Sequence, residues 1–268
     1  MEVSTSGYYA WRDRPVSESA QANQKLVSEI RDIHAKSRQT YGSPRVHAEL
    51  VARGFPVGKN RVARLMRVEN IRARRKKKRK ITTDSQHPYP VAPNLLHRDF
   101  QAEAPNEKWL GDITFIPTAE GWLYLAAILD LFSRKIVGWA MGETLESILV
   151  EQAYQMAVQN RRPAAGLLHH SDRGSQYAGE SYRDLLSAYR MQVSMSGTGN
   201  CYDNAPMESF FSTLKCEQIH FQDYNTRVEA KTDIFVYIEG FYNRTRRHSS
   251  LGYLSPDEFE RRYYDNLP

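Results

Sequence analysis

The spacing of hydrophobic positions divides the chain into a helical first part and a second part that begins with strands. Before residue 70, apolar residues recur every three or four positions, which is the period of a helix with one buried face. Ser43 and Pro44 predict an N-cap and a first helical residue, and Gly54 predicts the end of that helix. A second helix is predicted from Lys59 to Val68. The first part is therefore expected to be a small all-α domain.

The second of these helices has an apolar side and a basic side. Its basic residues are arranged as in the recognition helix of a helix-turn-helix, and they are Lys59, Arg61, Arg64 and Arg67. An ordinary helix with a solvated basic face shows the same charge pattern. The pattern alone therefore leaves both interpretations open.

Three apolar runs that are typical of strands begin at Lys108, and they are KWLGDITFIPT, WLYLAAILDLF and RKIVGWAMG. The breaks between them are short. Ala119-Glu120-Gly121 suits a hairpin turn, and Ser133-Arg134 marks a second bend. A three-stranded antiparallel meander is expected.

Helices and strands alternate after the meander. Helices are predicted over 145–159, 181–189 and 227–242, with another that begins near Ala205. The inner face of the first is predicted to carry Ile148, Leu149, Ala153, Met156 and Ala157. The runs GLLHHSD and MQVSM predict two further short strands. The pattern as a whole predicts an α/β fold in which helices flank a mixed five-stranded sheet.

Charge is distributed unevenly along the chain. The formal net charge is +6, but residues 1–100 hold 21 Lys and Arg against 9 Asp and Glu, whereas residues 101–268 hold 16 against 22. The segment from Arg72 to Lys80 is basic at eight of nine positions and repels itself too strongly to fold alone. A polyanion is the natural partner of such a segment, and we expect Arg74, Lys76 and Lys78 to contact the phosphate backbone of DNA.

Three regions follow from these patterns. Residues 1–80 are expected to form the DNA-binding helical region with its basic tail, and residues 104–268 the sheet-containing domain. Residues 81–103 lack periodicity and are rich in proline, which predicts a linker.

Composition excludes several other classes of protein. The chain is 41% hydrophobic, as in globular proteins, and no apolar run approaches the roughly 18 residues of a membrane span. The N-terminus lacks the pattern of a secretory signal. Cys201 and Cys216 have no CxxC partner, which argues against a disulfide scaffold or a structural zinc site. A cytoplasmic location is expected.

Three acidic residues stand at positions where acids are hard to explain. Asp112 lies inside an apolar strand pattern, Asp172 directly follows the run GLLHHS, and Glu208 lies in the helix that begins after a polar loop. A buried carboxylate is unfavourable unless it is paired or binds a cation, and carboxylate oxygens suit Mg²⁺ or Mn²⁺. Two such ions would activate the attacking oxygen and stabilise the leaving oxygen at a phosphodiester. Taken singly, each acid also has an ordinary explanation as an edge-strand, turn or helix-start residue.

A resemblance bears on these alternatives. The segments WLGDITFIPT, HSDRGSQY and SMSGTGNCYDNAPMESFFSTLKCE closely resemble the catalytic core of the DDE transposase and retroviral integrase superfamily. Within it they resemble the second-frame (OrfB) transposases of the insertion-sequence-three family of bacterial elements. In this sequence 35 residues separate Asp172 from Glu208, and Lys215 follows Glu208 by seven, which is that family's signature spacing. The segments SGYYAWRDRP, TYGSPRVHAELVARGFPVGKNRVARLMR and FYNRTRRHSSLGYLSPDEF extend the resemblance over nearly the whole chain.

The resemblance implies a fold and a chemistry. The fold is an RNase H-like core over 104–268, with Asp112 on the first strand, Asp172 after the fourth and Glu208 on a later helix. These acids would hold two Mg²⁺ or Mn²⁺ ions for cleavage that exposes a 3′ hydroxyl at an element end, followed by transfer of that end to another DNA strand. Seven residues are about two helical turns, so Lys215 would lie on the face of Glu208 and contact a DNA phosphate.

The resemblance also implies partners. The chain matches the second-frame portion of the family, so the working enzyme is expected to be a fusion with, or a partner of, the upstream first-frame protein. It would assemble as an oligomer on double-stranded DNA in the bacterial nucleoid. Two alternatives are a non-catalytic DNA-binding regulator, which would not need the three acids, and an RNase H-like nuclease that cuts without joining.

Several other polar residues allow two interpretations. His169 and His170 are favoured as structural residues, because neighbours on a strand point to opposite faces and do not converge on one ion. Asn204 and Ser212 would position substrate or only decorate a helix, and Asp130 is favoured as a turn residue over a partner of the acids. The basic segment from Tyr242 to His248 would either contact DNA or cap a helix.

Overall fold

The structure is a computed structural model that describes residues 4–15, 17–74, 91–197 and 201–267. The chain divides into two compact units, Met1–Arg74 and Arg75–Pro268. The predicted boundaries at residues 80 and 103 stay a prediction. Within the described ranges, no helix is both long and apolar enough to cross a membrane.

The first unit consists of helices, namely α1 (Thr5–Arg12), α2 (Glu18–Lys36), α3 (Ser43–Ala52) and α4 (Lys59–Val68). The apolar sides of the last three contain its buried residues, which include Leu26, Ile30, Ile33, Val46, Leu50, Val62, Leu65 and Met66. The bounds of α3 and α4 agree with the predicted helix pair. The N-cap of α3 is Gly42, one residue before the predicted Ser43, which instead lies in the first turn beside Pro44.

The second unit is built on one sheet of five strands: β1 (Lys108–Thr118), β2 (Gly121–Asp130), β3 (Ile136–Gly142), β4 (Leu168–Ser171) and β5 (Gln192–Met195). The strand order is β3-β2-β1-β4-β5. The first three strands pair antiparallel, whereas β4 pairs parallel with both β1 and β5. The predicted meander and the mixed five-stranded sheet are confirmed.

Helices surround this sheet: α5 (Ser147–Arg161), α6 (Ser175–Ala178), α7 (Glu180–Ala188), α8 (Ala205–Glu217), α9 (Arg227–Phe235) and α10 (Pro256–Asp265). The helix predicted over 227–242 is α9 followed by a π-helix from Val236 to Tyr242. The spacing of hydrophobic residues did not distinguish the α-helix from the π-helix that follows it. The short α6 and the C-terminal α10 were not predicted.

Helix α5 packs closely on the sheet through Gly138 of β3. A Cβ at Gly138 would lie 2.2 Å from the carbonyl oxygen of Ala153 and 2.6 Å from the backbone nitrogen of Ala157. Leu149, Ala153 and Ala157 are buried as predicted, but Ile148 is 50% exposed, so its predicted place on the inner face is wrong. The buried face of α5 runs instead through Val150, Tyr154 and Val158.

Polar contacts fasten the C-terminal segment to the sheet. The side chain of Asn243 accepts a hydrogen bond from the N–H of Ile136 and donates one to its carbonyl oxygen, as a neighbouring strand would. Arg161 of α5 pairs with Glu260 of α10 at 2.7 Å and with the fully buried Asp130 at 3.4 Å. Asp130 ends β2 and accepts the N–H groups of Asn106 and Phe132. It is therefore a structural anchor at the end of a strand.

Candidate active site

Two parallel strands bring Asp112 and Asp172 together. Strand β1 lies at the centre of the sheet, and β4 runs beside it with Gly111 opposite Ser171. Because parallel strands advance in the same direction, the next residue of each chain segment, Asp112 and Asp172, leaves this pair side by side. Two acids that are distant in sequence thus meet at the end of β4.

Local hydrogen bonds orient both carboxylates. Oδ1 of Asp112 accepts the N–H of Ile113 at 2.8 Å, and Oδ1 of Asp172 accepts the N–H of Gly174 at 2.9 Å. A Cβ at Gly174 would lie 3.1 Å from that Asp172 oxygen, so a glycine suits the turn. Both acids are half-buried and keep part of their surface open to solvent.

Helix α8 supplies a third acid and a lysine. Glu208 lies in its first turn and is exposed, whereas Lys215 lies in its last turn and is half-buried. The helix begins at Ala205-Pro206, where the ring of proline suits the first turn because its missing N–H would have no partner there. Seven residues, about two helical turns, separate the acid from the lysine along the helix.

The charges of these residues converge on Asp112. Burial raises the pKa of Asp112 well above its ordinary value, and the negative charges of Asp172 and Glu208 raise it further. The N–H of Ile113 and the ammonium group of Lys215 act in the opposite direction. Three acids, on β1, directly after β4 and on α8, therefore share one electrostatic environment with Lys215.

The donor chemistry of this group fits a divalent cation. All three acids offer carboxylate oxygens, which are the ligands that Mg²⁺ and Mn²⁺ prefer, and a bound cation would relieve the repulsion that raises the pKa of Asp112. Among the residues that the structure describes, no three His, Cys, Asp or Glu side chains are grouped closely enough to hold a metal ion. The acids thus influence one another without forming a ready three-ligand cage.

The two histidines before Asp172 are internal structural residues. His169 and His170 are both buried, and burial lowers their pKa values to about 3 and about 4. The ring of His169 contacts the hydroxyl of Tyr182 at 2.8 Å, and that of His170 lies between Ser194 and Ser196. The two rings contact different parts of the fold, as predicted from the alternation of side chains along a strand.

Sequence reasoning missed Asp203, which fastens the segment before α8. Its buried carboxylate accepts the N–H of Gly197 at 2.9 Å, the amide of Asn94 at 3.0 Å and Nε of Arg98 at 2.8 Å. Burial raises the pKa of Asp203, but the N–H of Gly197 and the guanidinium of Arg98 lower it below its ordinary value. An acid just before a helix start is ordinarily a cap, so the sequence carried no signal for this role.

Residues 91–100, part of the predicted linker, belong to the second unit and contact β5 and the segment before α8. Besides Asn94 and Arg98, Leu96 is buried, and Oγ of Ser194 accepts the backbone N–H groups of Leu95 and Leu96. This stretch of chain is therefore held beside β5 and Asp203.

The predicted DNA-contacting residues of the first unit differ in their surroundings. Lys59, Arg64 and Arg67 are exposed on α4, and Arg74 is exposed after it. Arg61 is half-buried, and its guanidinium donates two hydrogen bonds to Oδ1 of Asn23, at 3.0 and 2.8 Å. Lys76 and Lys78 lie outside the described residues.

The basic C-terminal segment is largely engaged within the fold. Arg246 is buried and forms a two-pronged ion pair with Glu217, at 2.7 Å for both bonds. Nη1 of Arg247 donates to the carbonyl oxygen of Tyr253, and His248 is buried. Arg244 is exposed. The contacts of this segment favour its structural interpretation.

Comparisons with known proteins agree with this arrangement. A family model described as "Integrase core domain" matches residues 102–201, and a second model of that description matches 189–256. A model described as "HTH-like domain" matches residues 21–79. One chain of the cryo-EM structure of the simian T-cell lymphotropic virus intasome in complex with PP2A regulatory subunit B56 gamma has a TM-score of 0.51 at 12% identity, over 89% of this chain and 75% of that one.

Relatives match almost end to end. The insertion element IS600 uncharacterized 31 kDa protein of Shigella sonnei is 48% identical over 98% of this chain and 96% of the relative. Transposase InsF for insertion sequence IS3A of Escherichia coli (strain K12) is 42% identical over 97% of this chain and 91% of the relative.

The sheet and the two matching core models define the second unit as an integrase core of the DDE transposase and retroviral integrase superfamily, and the first unit as helix-turn-helix-like. The identity to the curated relatives narrows this class. The chain belongs to the insertion-sequence-three (IS3) family of transposases.

Proposed function

We propose that this chain cuts and joins DNA strands at the ends of an insertion sequence. In the first reaction, water attacks a phosphodiester and its P–O3′ bond breaks, which leaves a 3′ hydroxyl and a 5′ phosphate. In the second, the oxygen of that hydroxyl bonds to another phosphorus, and a second 3′ hydroxyl is released. The observation that supports this chemistry best is the convergence of Asp172 and Glu208 on the half-buried Asp112.

Asp112, Asp172 and Glu208 are the residues that would hold the metal, with two Mg²⁺ ions expected and Mn²⁺ as an alternative. When bound, the ions would supply activation of the attacking oxygen and stabilisation of the leaving oxygen. The support lies in the donor set, which contains only carboxylates, and in the repulsion among them.

Lys215 would hold the DNA beside the three acids. Its ammonium group is close enough to Asp112 for each to affect the pKa of the other. Burial lowers the pKa of Lys215 and the charge of Asp112 opposes that shift. A half-buried ammonium group at this place would bind a phosphate next to the reacting one, which aligns the strand with the acids.

The histidines would take no part in proton transfer. His169 and His170 are buried, and their lowered pKa values keep both neutral at physiological pH. Each ring is already hydrogen-bonded to a hydroxyl within the fold. Water or a DNA hydroxyl would therefore lose its proton at the acids rather than at an imidazole.

The first unit would bind DNA through its positive charges. The exposed cations Lys59, Arg64 and Arg67 share one helix that carries no acidic residue, and this favours a phosphate partner over internal ion pairs. Arg74 and the basic run with Lys76 and Lys78 would extend the contact. Residues 104–268 would carry the chemistry, with an upstream first-frame protein as partner and an oligomer assembled on DNA in the bacterial cytoplasm.

An analysis of reaction products tests this proposal. The purified chain, alone and with its first-frame protein, is incubated in Mg²⁺ or Mn²⁺ with end-labelled duplexes that carry the element ends. The proposal predicts a 3′-hydroxyl nick at the element end and then a joined product. Nicks that are never joined would indicate a nuclease instead. Binding without any cleavage, with the partner present, would indicate a regulator.

A further inference from the structure

The side chain of Asn204 connects the two elements that carry Asp112 and Glu208. Asn204 is only 4% exposed and stands immediately before α8. Its Nδ2 donates a hydrogen bond to the carbonyl oxygen of Gly111, at 3.2 Å. Gly111 precedes Asp112 on the central strand β1, so the bond reaches the backbone next to that acid.

The position of Asn204 in the chain relates this bond to Glu208. Asn204 is the N-cap of α8, and Glu208 lies in the first turn of that helix. The bond to Gly111 therefore ties the start of the helix that carries Glu208 to the strand that carries Asp112. The negative charge of Glu208 raises the pKa of Asp112, which agrees with this placement.

A second buried asparagine shows what a purely structural amide does. Asn243 is 2% exposed and uses both of its polar atoms, since Oδ1 accepts the N–H of Ile136 and Nδ2 donates to its carbonyl oxygen. Asn204 uses only its donor. Its Oδ1 is buried and has no hydrogen-bond partner among the described residues. Buried polar atoms are usually paired, so the unpaired oxygen distinguishes Asn204 from Asn243.

The backbone around Asn204 is fixed independently of this bond. The neighbouring Asp203 is bound by Gly197, Asn94 and Arg98. Loss of the Asn204 amide would therefore leave the preceding turn anchored. What would be lost is the link from the start of α8 to β1.

We propose that Asn204 is a positioning residue, whose bond to the backbone of Gly111 holds the start of α8 against β1 so that Glu208 and Asp112 would both serve as ligands of a divalent cation. This inference rests on the proposed function, because it assumes that the two acids bind the cation. Groups that orient metal ligands affect affinity strongly, and their removal typically weakens binding about 10- to 100-fold.

The test uses the full chain and Mn²⁺ alone as the probe. Binding is measured by calorimetry, and unfolding temperature and strand joining are measured on the same samples at a series of Mn²⁺ concentrations. The variants are Asn204→Ala and Asn204→Leu, of which the second keeps the side-chain volume. Asn243→Ala is the matched control for the loss of a buried amide, and Asp112→Asn tests the acids themselves.

Both Asn204 variants are expected to bind Mn²⁺ about 10-fold more weakly or worse. Half-maximal joining should need correspondingly more Mn²⁺, whereas joining at saturating Mn²⁺ should recover. Asn243→Ala should lower the unfolding temperature and leave Mn²⁺ affinity as in the wild type. The inference about Asn204 would be overturned, and the proposed function kept, by one result. In that result Asp112→Asn abolishes Mn²⁺ binding, but the Asn204 variants bind Mn²⁺ as tightly as the wild type or Asn243→Ala. Equal binding by the wild type and Asp112→Asn would overturn the proposed function as well.

Discussion

At the scale of single residues, Asp112 has the environment of a carboxyl that needs a counter-charge. Burial and the charges of Asp172 and Glu208 all disfavour its ionised form. The N–H of Ile113 and the ammonium group of Lys215 favour that form. A divalent cation beside Asp112 would favour the ionised carboxylate.

Removal of the Lys215 charge should lower the rate of strand joining and change the free energy of unfolding little. Lys215→Met keeps most of the aliphatic side chain and removes the proposed phosphate contact. For DNA long enough to reach the three acids, the slope of log K for DNA binding against log salt concentration should therefore fall by about 0.9. Joining rates and binding across a salt series measure this. Lys231→Met on α9 is the control, and an equal slope in the two variants would contradict the assignment.

The sequence predicted the three acids through their spacing and the family resemblance, but not the contacts around them. Asp203 and the bond from Asn204 to Gly111 stayed hidden, because an acid or an amide before a helix is ordinarily a cap. Except for Gly197, their partners lie 93 to 109 residues away in the chain. Such contacts depend on how strands and loops come together, which local patterns do not encode.

At the scale of elements, the parallel pairing of β1 with β4 and the close packing of α5 on β3 position the site. The strand pattern predicted the meander and the two later strands, because alternation and short turns are local signals. It did not predict the π-helix after α9, whose apolar spacing resembles that of an α-helix. It also placed Ile148 on the wrong face of α5.

Gly138→Ala should destabilise the second unit by about 3 kcal/mol, because the added methyl group would overlap the backbone of α5. Denaturant unfolding of the full chain measures the change. Gly240→Ala is the control, since its nearest neighbour would be Cγ1 of Val236 at an ordinary 3.9 Å. Equal midpoints for the two variants would show that β3 and α5 are less closely packed than described.

The anchor at the end of β2 should make stability depend on pH. Burial raises the pKa of Asp130 to about 6, which outweighs Arg161 because that guanidinium lies closer to Glu260. The folded pKa exceeds the ordinary value near 4, so ionisation opposes folding. The contribution is fully present below pH 4 and is lost as pH rises through about 6.

The unfolding free energy of the wild type should therefore fall relative to Asp130→Asn by up to about 3 kcal/mol between pH 4 and pH 7. Denaturant unfolding across this range measures the difference, with the exposed Asp265→Asn as the control. A difference between wild type and Asp130→Asn that stays constant with pH would refute the assignment.

At the scale of the whole molecule, charge and chemistry are separated along the chain. The basic excess lies within residues 1–100, which include the helix-turn-helix-like match, and the acids lie in the integrase core. The proposed DNA substrate would account for this division, because one part would neutralise phosphates while the other would keep negative charge for metal ions. The count of charged residues in each segment predicted this separation of charge from the sequence alone.

The exposed cations of α4 should carry sequence-independent affinity for DNA. The combined change Lys59→Ala, Arg64→Ala and Arg67→Ala should reduce the salt slope of binding by about 3, since each lost phosphate contact contributes about 0.9. Arg61→Ala should instead lower the stability of the first unit, because its guanidinium binds Asn23. Binding isotherms at several salt concentrations and thermal unfolding separate the two effects. An unchanged slope in the triple variant would place the DNA contact elsewhere.

The most direct test of the central claim compares the wild type with Glu208→Gln in metal-dependent cleavage and joining of element-end duplexes, with the first-frame protein present. The substitution keeps the size of the side chain and removes the negative charge that a cation needs. With Glu180→Gln on α7 as the control, nicking and joining should fall to background in Glu208→Gln alone while DNA binding is retained. Metal-dependent cleavage by Glu208→Gln at the wild-type rate would contradict the account.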